Sequence, residues 1–208
     1  MAKGLEYLHS LDIPHGGLKG VSHLPDPTSV SLVLNCVTAL TPCLQANVIV
    51  DQRGHARLTE YGLAPINSDP DFNFAATPGY AGTSRWLAPE IVAPICGGPG
   101  ALVVESKAAD VFAFGMLAVE VFTGKVPFER MKSEAAALHI SRGGRPEMPK
   151  NLQELGLTAE VWELLEECWK QDPKKRPTMK EVVGRWQEFV GSANFNDSFT
   201  LRWVLYSF

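Results

Sequence analysis

The chain has 208 residues, 45% of them apolar and 20% charged, with a net charge of -4. That is enough apolar chain to bury one core of ordinary size, so a single domain is expected. The mild charge gives no electrostatic basis for binding nucleic acid or an anionic membrane, and no apolar run reaches the length of a membrane span.

The chain opens on Ala2, Leu5, Leu8 and Leu11, spaced by three, which predicts one stripe of a helix over 1–11. No capping signal precedes that helix, and no signal-peptide plan of charged then apolar residues is present. Val48 and Val50 alternate, Asp51-Gln52-Arg53-Gly54 supplies a turn, and Ala56 and Leu58 alternate again, which predicts a β-hairpin. A loop rich in Gly, Pro, Ser and Asn follows from about 62 to 84. Residues 110–122 are apolar on every side, the mark of a helix buried all round. Val161, Leu164, Leu165, Cys168 and Trp169 predict an amphipathic helix. Thr178 and Glu181 form a capping box ahead of a last helix carrying Val182, Trp186, Phe189 and Val190, and 191–208 is a tail without a period. The fold class expected is mainly α with one small hairpin. Cys36, Cys43, Cys96 and Cys168 form no Cys-x-x-Cys pair, so free thiols and an intracellular home, cytoplasmic or nuclear, are expected.

Six motifs in order carry a resemblance. They are His15-Gly16-Gly17-Leu18-Lys19 with Ala46-Asn47, then Glu60-Tyr61-Gly62, Ala88-Pro89-Glu90, Asp110 opening the buried helix, Cys168-Trp169, and Asp172 through Thr178. Together they resemble the catalytic loop, metal-binding turn, activation segment and lower-lobe frame of a protein kinase. The likeness covers about 1–20 and 46–190. Gly82-Thr83-Ser84-Arg85-Trp86-Leu87 before Ala88, and Cys168-Trp169 with Arg176-Pro177-Thr178, look most like the tyrosine-kinase-like group. Lys19 looks like the serine/threonine pattern, and the His15–Gly20 run is similar to fungal kinase sequences.

The resemblance implies a kinase C-terminal lobe spanning 1–190, ATP and Mg²⁺ as cofactors, and a protein substrate or protein partner. By the same resemblance Lys19 would lie near the γ-phosphate, and Asn47 and Glu60 would hold the metal. His15 would brace the loop from the core, and Asp110 would accept hydrogen bonds from catalytic-loop amides. Glu90 and Arg176 would form a buried ion pair, and Thr83 would support the substrate-binding loop. Gly62 closes the metal-binding turn. Ser68, Thr77, Tyr80, Thr83 and Ser84 are candidate phosphorylation positions in the activation segment.

Four departures matter. Gly17 stands where the catalytic base, an Asp, is expected, and it has no side chain. Glu60 replaces the metal-binding Asp, which moves the carboxylate outward by roughly 1–1.5 Å; Mg²⁺ is strict about octahedral geometry. The Gly-rich loop and ATP-orienting Lys of the N-lobe are missing from this sequence. Gly17 and Asn47 stand thirty positions apart where the pattern has five. Deleting Val21–Gln45 restores that spacing. The stretch has Asp26 as its one acid or base among Asp, Glu, Lys and Arg, begins Val21-Ser22, which GTAAGT or GTGAGT can encode, and ends on Gln45, which CAG encodes. These are the ends of an intron, so a retained intron is expected; a genuine looped-out insertion is the alternative. The function expected is a kinase-family lobe inactive in phosphoryl transfer. A pseudokinase scaffold and a non-functional truncated product are the alternatives.

Overall fold

The computed structural model describes residues 1–18, 48–50, 56–58, 84–96, 106–152, 155 and 157–192. Among them lie six α-helices: α1 (Ala2–Ser10), α2 (Pro89–Cys96), α3 (Lys107–Thr123), α4 (Ser133–Ser141), α5 (Ala159–Cys168) and α6 (Met179–Ser192). Strands β1 (Val48–Val50) and β2 (Ala56–Leu58) pair antiparallel, with Val48 opposite Leu58 and Val50 opposite Ala56. The mainly helical expectation and the hairpin strands are both met among these residues. The hairpin's turn lies outside them.

Helix α3 is the axis of the core. Its N-terminus is fixed by Ser106, whose hydroxyl accepts the Ala109 amide, and its C-terminus by Gly124, which takes the left-handed backbone (φ 67°) that a Cβ disfavours. Between these caps every residue from Asp110 to Glu120 is buried. Burial all round needs partners on several sides, and α3 finds them in α5 and in the 3-10 turn Pro173–Lys175. Gly115 lets α5 approach closely: a Cβ built there would stand 3.0 Å from the Cys168 Cβ. Helix α1 lays Ala2, Leu5 and Leu8 into the core and packs against α6 and β2; α2 packs against α4.

Two helical expectations need correction. Leu11 is 52% exposed and lies beyond α1. Asp12 takes a positive φ of 63°, and the Ile13 amide turns back to the Leu8 carbonyl, which ends the helix before the stripe reaches Leu11. The last helix runs through Ser192, two residues into the stretch read as a tail without a period, a difference within the usual spread of helix boundaries. Helices α2 and α4 have no counterpart in the sequence reading.

The capping box is formed as expected. The Thr178 amide and hydroxyl both donate to Glu181 Oε2 at 2.7 and 2.8 Å, and the Glu181 amide returns to the Thr178 hydroxyl at 3.3 Å. Cys168 is a buried free thiol whose pKa burial, with the Glu167 charge behind it, pushes up to about 12. A thiol so held is inert as a nucleophile. Cys36 and Cys43 lie outside the described residues.

Candidate functional site

The site is built on the first turn of α3. Asp110 is 2% exposed, and a buried carboxylate must be paid for with donors. It has three. The His15 amide donates to Oδ2 at 2.7 Å and the Gly16 amide to Oδ1 at 2.9 Å. The third is His9 Nε2, 2.9 Å from Oδ2; a carboxylate only accepts, so that nitrogen carries the proton. Gly16 has φ 75°, a conformation that suits glycine and turns both amides toward one acid. His15 and Leu18 are buried on either side and pin the segment to the core. The backbone at 15–18 is thereby fixed from beneath.

What this fixed loop presents is Gly17. It lies partly exposed between two buried anchors, and the position carries no acid. A general base must bring a proton acceptor to hydrogen-bonding distance of the hydroxyl; no side chain starts from this position.

The second element is an ion pair at the base of α2. Arg176 donates from Nη1 to Glu90 Oε1 at 2.6 Å and from Nη2 to Oε2 at 2.8 Å, a bidentate fork. The Arg176 side chain is fully buried, and its remaining donors reach the Ala108, Lys170 and Gln171 carbonyls. Its guanidinium sits 5.0 Å from the Phe112 ring centroid, and Arg145 sits 5.1 Å from the same ring. Arg145 in turn donates to the Trp169, Ile140 and Gly144 carbonyls. Burial, followed by the Arg176 charge, lowers its pKa to about 10.

The third element is the turn 84–86 ahead of α2. Arg85 Nη1 donates to the Pro127 and Phe128 carbonyls at 2.8 and 2.6 Å, and Nη2 to the Met131 carbonyl. Phe128 takes a positive φ of 55° in the loop so gripped. Trp86 is buried, and its indole Nε1 donates to Glu120 Oε2 at 3.2 Å.

The described structure thus brings together His15, Gly17 and Asp110 at one place, and Glu90 with Arg176 at another. Lys19, Asn47, Glu60, Gly62 and Thr83 lie outside the described residues, as do Ser68, Thr77 and Tyr80. The metal set expected from the sequence rests on two of them, Asn47 and Glu60. Among the described residues no group of three or more His, Cys, Asp or Glu could hold a metal ion. When bound in a kinase, Mg²⁺ neutralises charge developing on the phosphate. Two open clefts of about 540 and 480 Å³ are lined by 141–146 with 166–171 and by Glu167 with 174–188, and neither includes a residue of 15–18.

Sequence reasoning missed His9, Arg85, Trp86, Glu120 and Arg145. Two of these left a signal. His9 follows Leu5 by four positions, on the buried face of α1, and Glu120 is a lone acid near the end of an apolar run. Arg85 and Trp86 stand in a run already singled out, but nothing in it specifies their partners.

An acid that holds a loop by its amides, a buried acid–arginine pair tying α2 to the segment before α6, and a fully buried central helix are consistent with a protein-kinase-like domain. The family model for protein tyrosine and serine/threonine kinases matches residues 44–185, more than half of the chain, and the chain belongs to the protein kinase family. It is 30% identical over 195 residues to the serine/threonine-protein kinase STY46 of Arabidopsis thaliana, covering 91% of this chain and 26% of that protein. It is 36% identical over 138 residues to a putative serine/threonine-protein kinase/receptor, R831, of Acanthamoeba polyphaga mimivirus, covering 66% and 7%. A third relative is mitogen-activated protein kinase kinase kinase 1 of Arabidopsis thaliana, 29% identical over 170 residues, covering 80% and 23%. The chain therefore spans about a quarter of the length of its plant relatives. These relatives are plant and viral, and they lend no support to the fungal likeness of the His15–Gly20 run. No helix among the described residues is long and apolar enough to cross a membrane.

Proposed function

We propose that this chain is a kinase-family lower lobe of the serine/threonine type that does not transfer phosphate. One observation carries the reading: the loop is held rigidly by Asp110 through the His15 and Gly16 amides, yet presents Gly17 at the position of the base. A well-anchored loop cannot easily bring an acid from elsewhere to that point. General-base assistance is worth about 10²–10⁴ in rate, and altered metal coordination at Glu60 adds to its loss. The test is transfer of radiolabelled phosphate from ATP with Mg²⁺ to a generic protein substrate. Incorporation is expected to stay at background. Transfer that Lys19→Met abolishes would overturn the reading.

A second reading, a binding scaffold of the pseudokinase kind, is favoured by the retained frame. Glu90, Asp110 and Arg176 keep their partners although the base is lost. In this reading ATP with Mg²⁺ raises the thermal midpoint without phosphate transfer. No shift and no cooperative unfolding would leave the third possibility, a product that does not function.

Val21–Gln45 is foreign to the lobe in this proposal and derives from a retained intron. Genomic bases at the acceptor end decide the matter: every valine codon begins with GT, so the deciding base is the last of the Gln45 codon, and CAA there in place of CAG rules the intron out.

A further inference from the structure

Glu120 is a buried acid that belongs neither to the Asp110 anchor nor to the Glu90–Arg176 pair. It is 3% exposed, near the C-terminal end of α3. Among the described residues Oε2 accepts a single neutral donor, the Trp86 indole, and Oε1 has no hydrogen-bond partner. An ionised carboxylate in such a place would be costly, because two charged oxygens would share one neutral N–H.

No ionised group stands ready to offset that cost among the described residues packed against α3. Arg85, from the turn, is spent on carbonyls. On α5, Glu166 bonds Trp162, Glu167 bonds Arg185 of α6, and Glu160 and Glu163 are exposed. From the 3-10 turn and its end, Lys174 and Lys175 are exposed and Arg176 is held by Glu90. Arg145, set against Phe112, is taken up by carbonyls and Gln171; along α3 itself, Lys107 pairs with Asp12 and Asp110 with the loop, and past its C-cap Lys125 pairs with Glu129.

We infer that Glu120 is a proton-linked latch: uncharged at neutral pH it holds Trp86 and the 84–88 segment against α3, and its ionisation in alkaline solution loosens that seam. The electrostatics agree in direction. Burial raises its pKa from 4.5 to about 8, against the lowering effect of the Trp86 hydrogen bond. The sign follows from linkage. The folded pKa lies above the unfolded one, so the contribution to stability is fully present below the unfolded value. It is lost as pH rises through the folded value. The latch is independent of phosphate transfer, and its success or failure leaves the functional reading untouched.

The experiment compares urea unfolding of the whole chain with that of Glu120→Gln, which keeps an acceptor for Trp86 but cannot titrate. The unfolding constant of the unaltered chain, divided by that of the variant, should rise about tenfold per pH unit from about pH 5 to 8 and level off above. If the Gln variant does not fold, Glu120→Met serves as the non-titrating reference. A ratio constant across that window overturns the proposal. Hydrogen exchange at the 85–88 amides, compared at equal pH, tests the coupling. Protection in the unaltered chain should fall below that of the variant above pH 8. Equal protection there would contradict the latch, even if the ratio titrates.

Discussion

Asp110 and Glu120 lie on one helix, both almost wholly out of water, and the two ends of α3 treat them differently. At the N-terminal end the chain supplies Asp110 with two backbone amides and an imidazole, so a charge is held by fixed donors. At the other end Glu120 receives one indole N–H, and burial pushes its pKa up to about 8. The contrast teaches that a buried acid can serve as a rigid anchor or as a titrating latch, according to how many donors converge on it. Glu90 shows a third solution, a bidentate guanidinium with the carboxylate partly in water.

Breaking that third solution should have the largest effect. Arg176→Ala strands Glu90 and leaves the Ala108, Lys170 and Gln171 carbonyls without their donor, so a loss of about 3–5 kcal/mol is expected. Denaturant unfolding measures it. Arg176→Lys should recover only part, since an ammonium cannot form the fork. A loss below about 1 kcal/mol for Arg176→Ala would place the pair with weak surface bridges.

The anchor comes next. Asp110→Ala removes the acceptor of two amides and should cost about 3 kcal/mol, with faster hydrogen exchange at His15 and Gly16. Unchanged exchange at those two amides would show that Asp110 does not hold the loop. The smallest effect tests a local feature far from either acid. Thr178→Ala opens the capping box of α6 and should cost about 1 kcal/mol, read as a shift in the denaturant midpoint at constant slope.

Much of this frame was legible in the sequence, for reasons that differ between elements. Helix α3 declared itself by an apolar run too long for a short strand, and α6 by a capping box whose two residues bond each other. Both signals are local. The partnership of Glu90 with Arg176 joins residues far apart in the chain and came from resemblance alone. Helix α4 escaped because Ala136, Ala137 and Ile140 make a thin apolar stripe, Leu138 on the same helix is exposed, and Lys132 is no capping residue. The misplaced end at Leu11 arose because periodicity continues past a helix that Asp12 has already terminated. Arg85 and Trp86 were visible as residues, but their grips on the 127–131 loop and on Glu120 are set by tertiary packing.

The central claim is that the loop is sound and lacks its base. Phosphate transfer by the gene product in its full extent, compared with Gly17→Asp in the same background, tests it most directly. Background transfer that rises with Gly17→Asp is the result expected. Transfer by the unaltered protein that Lys19→Met abolishes would contradict the account.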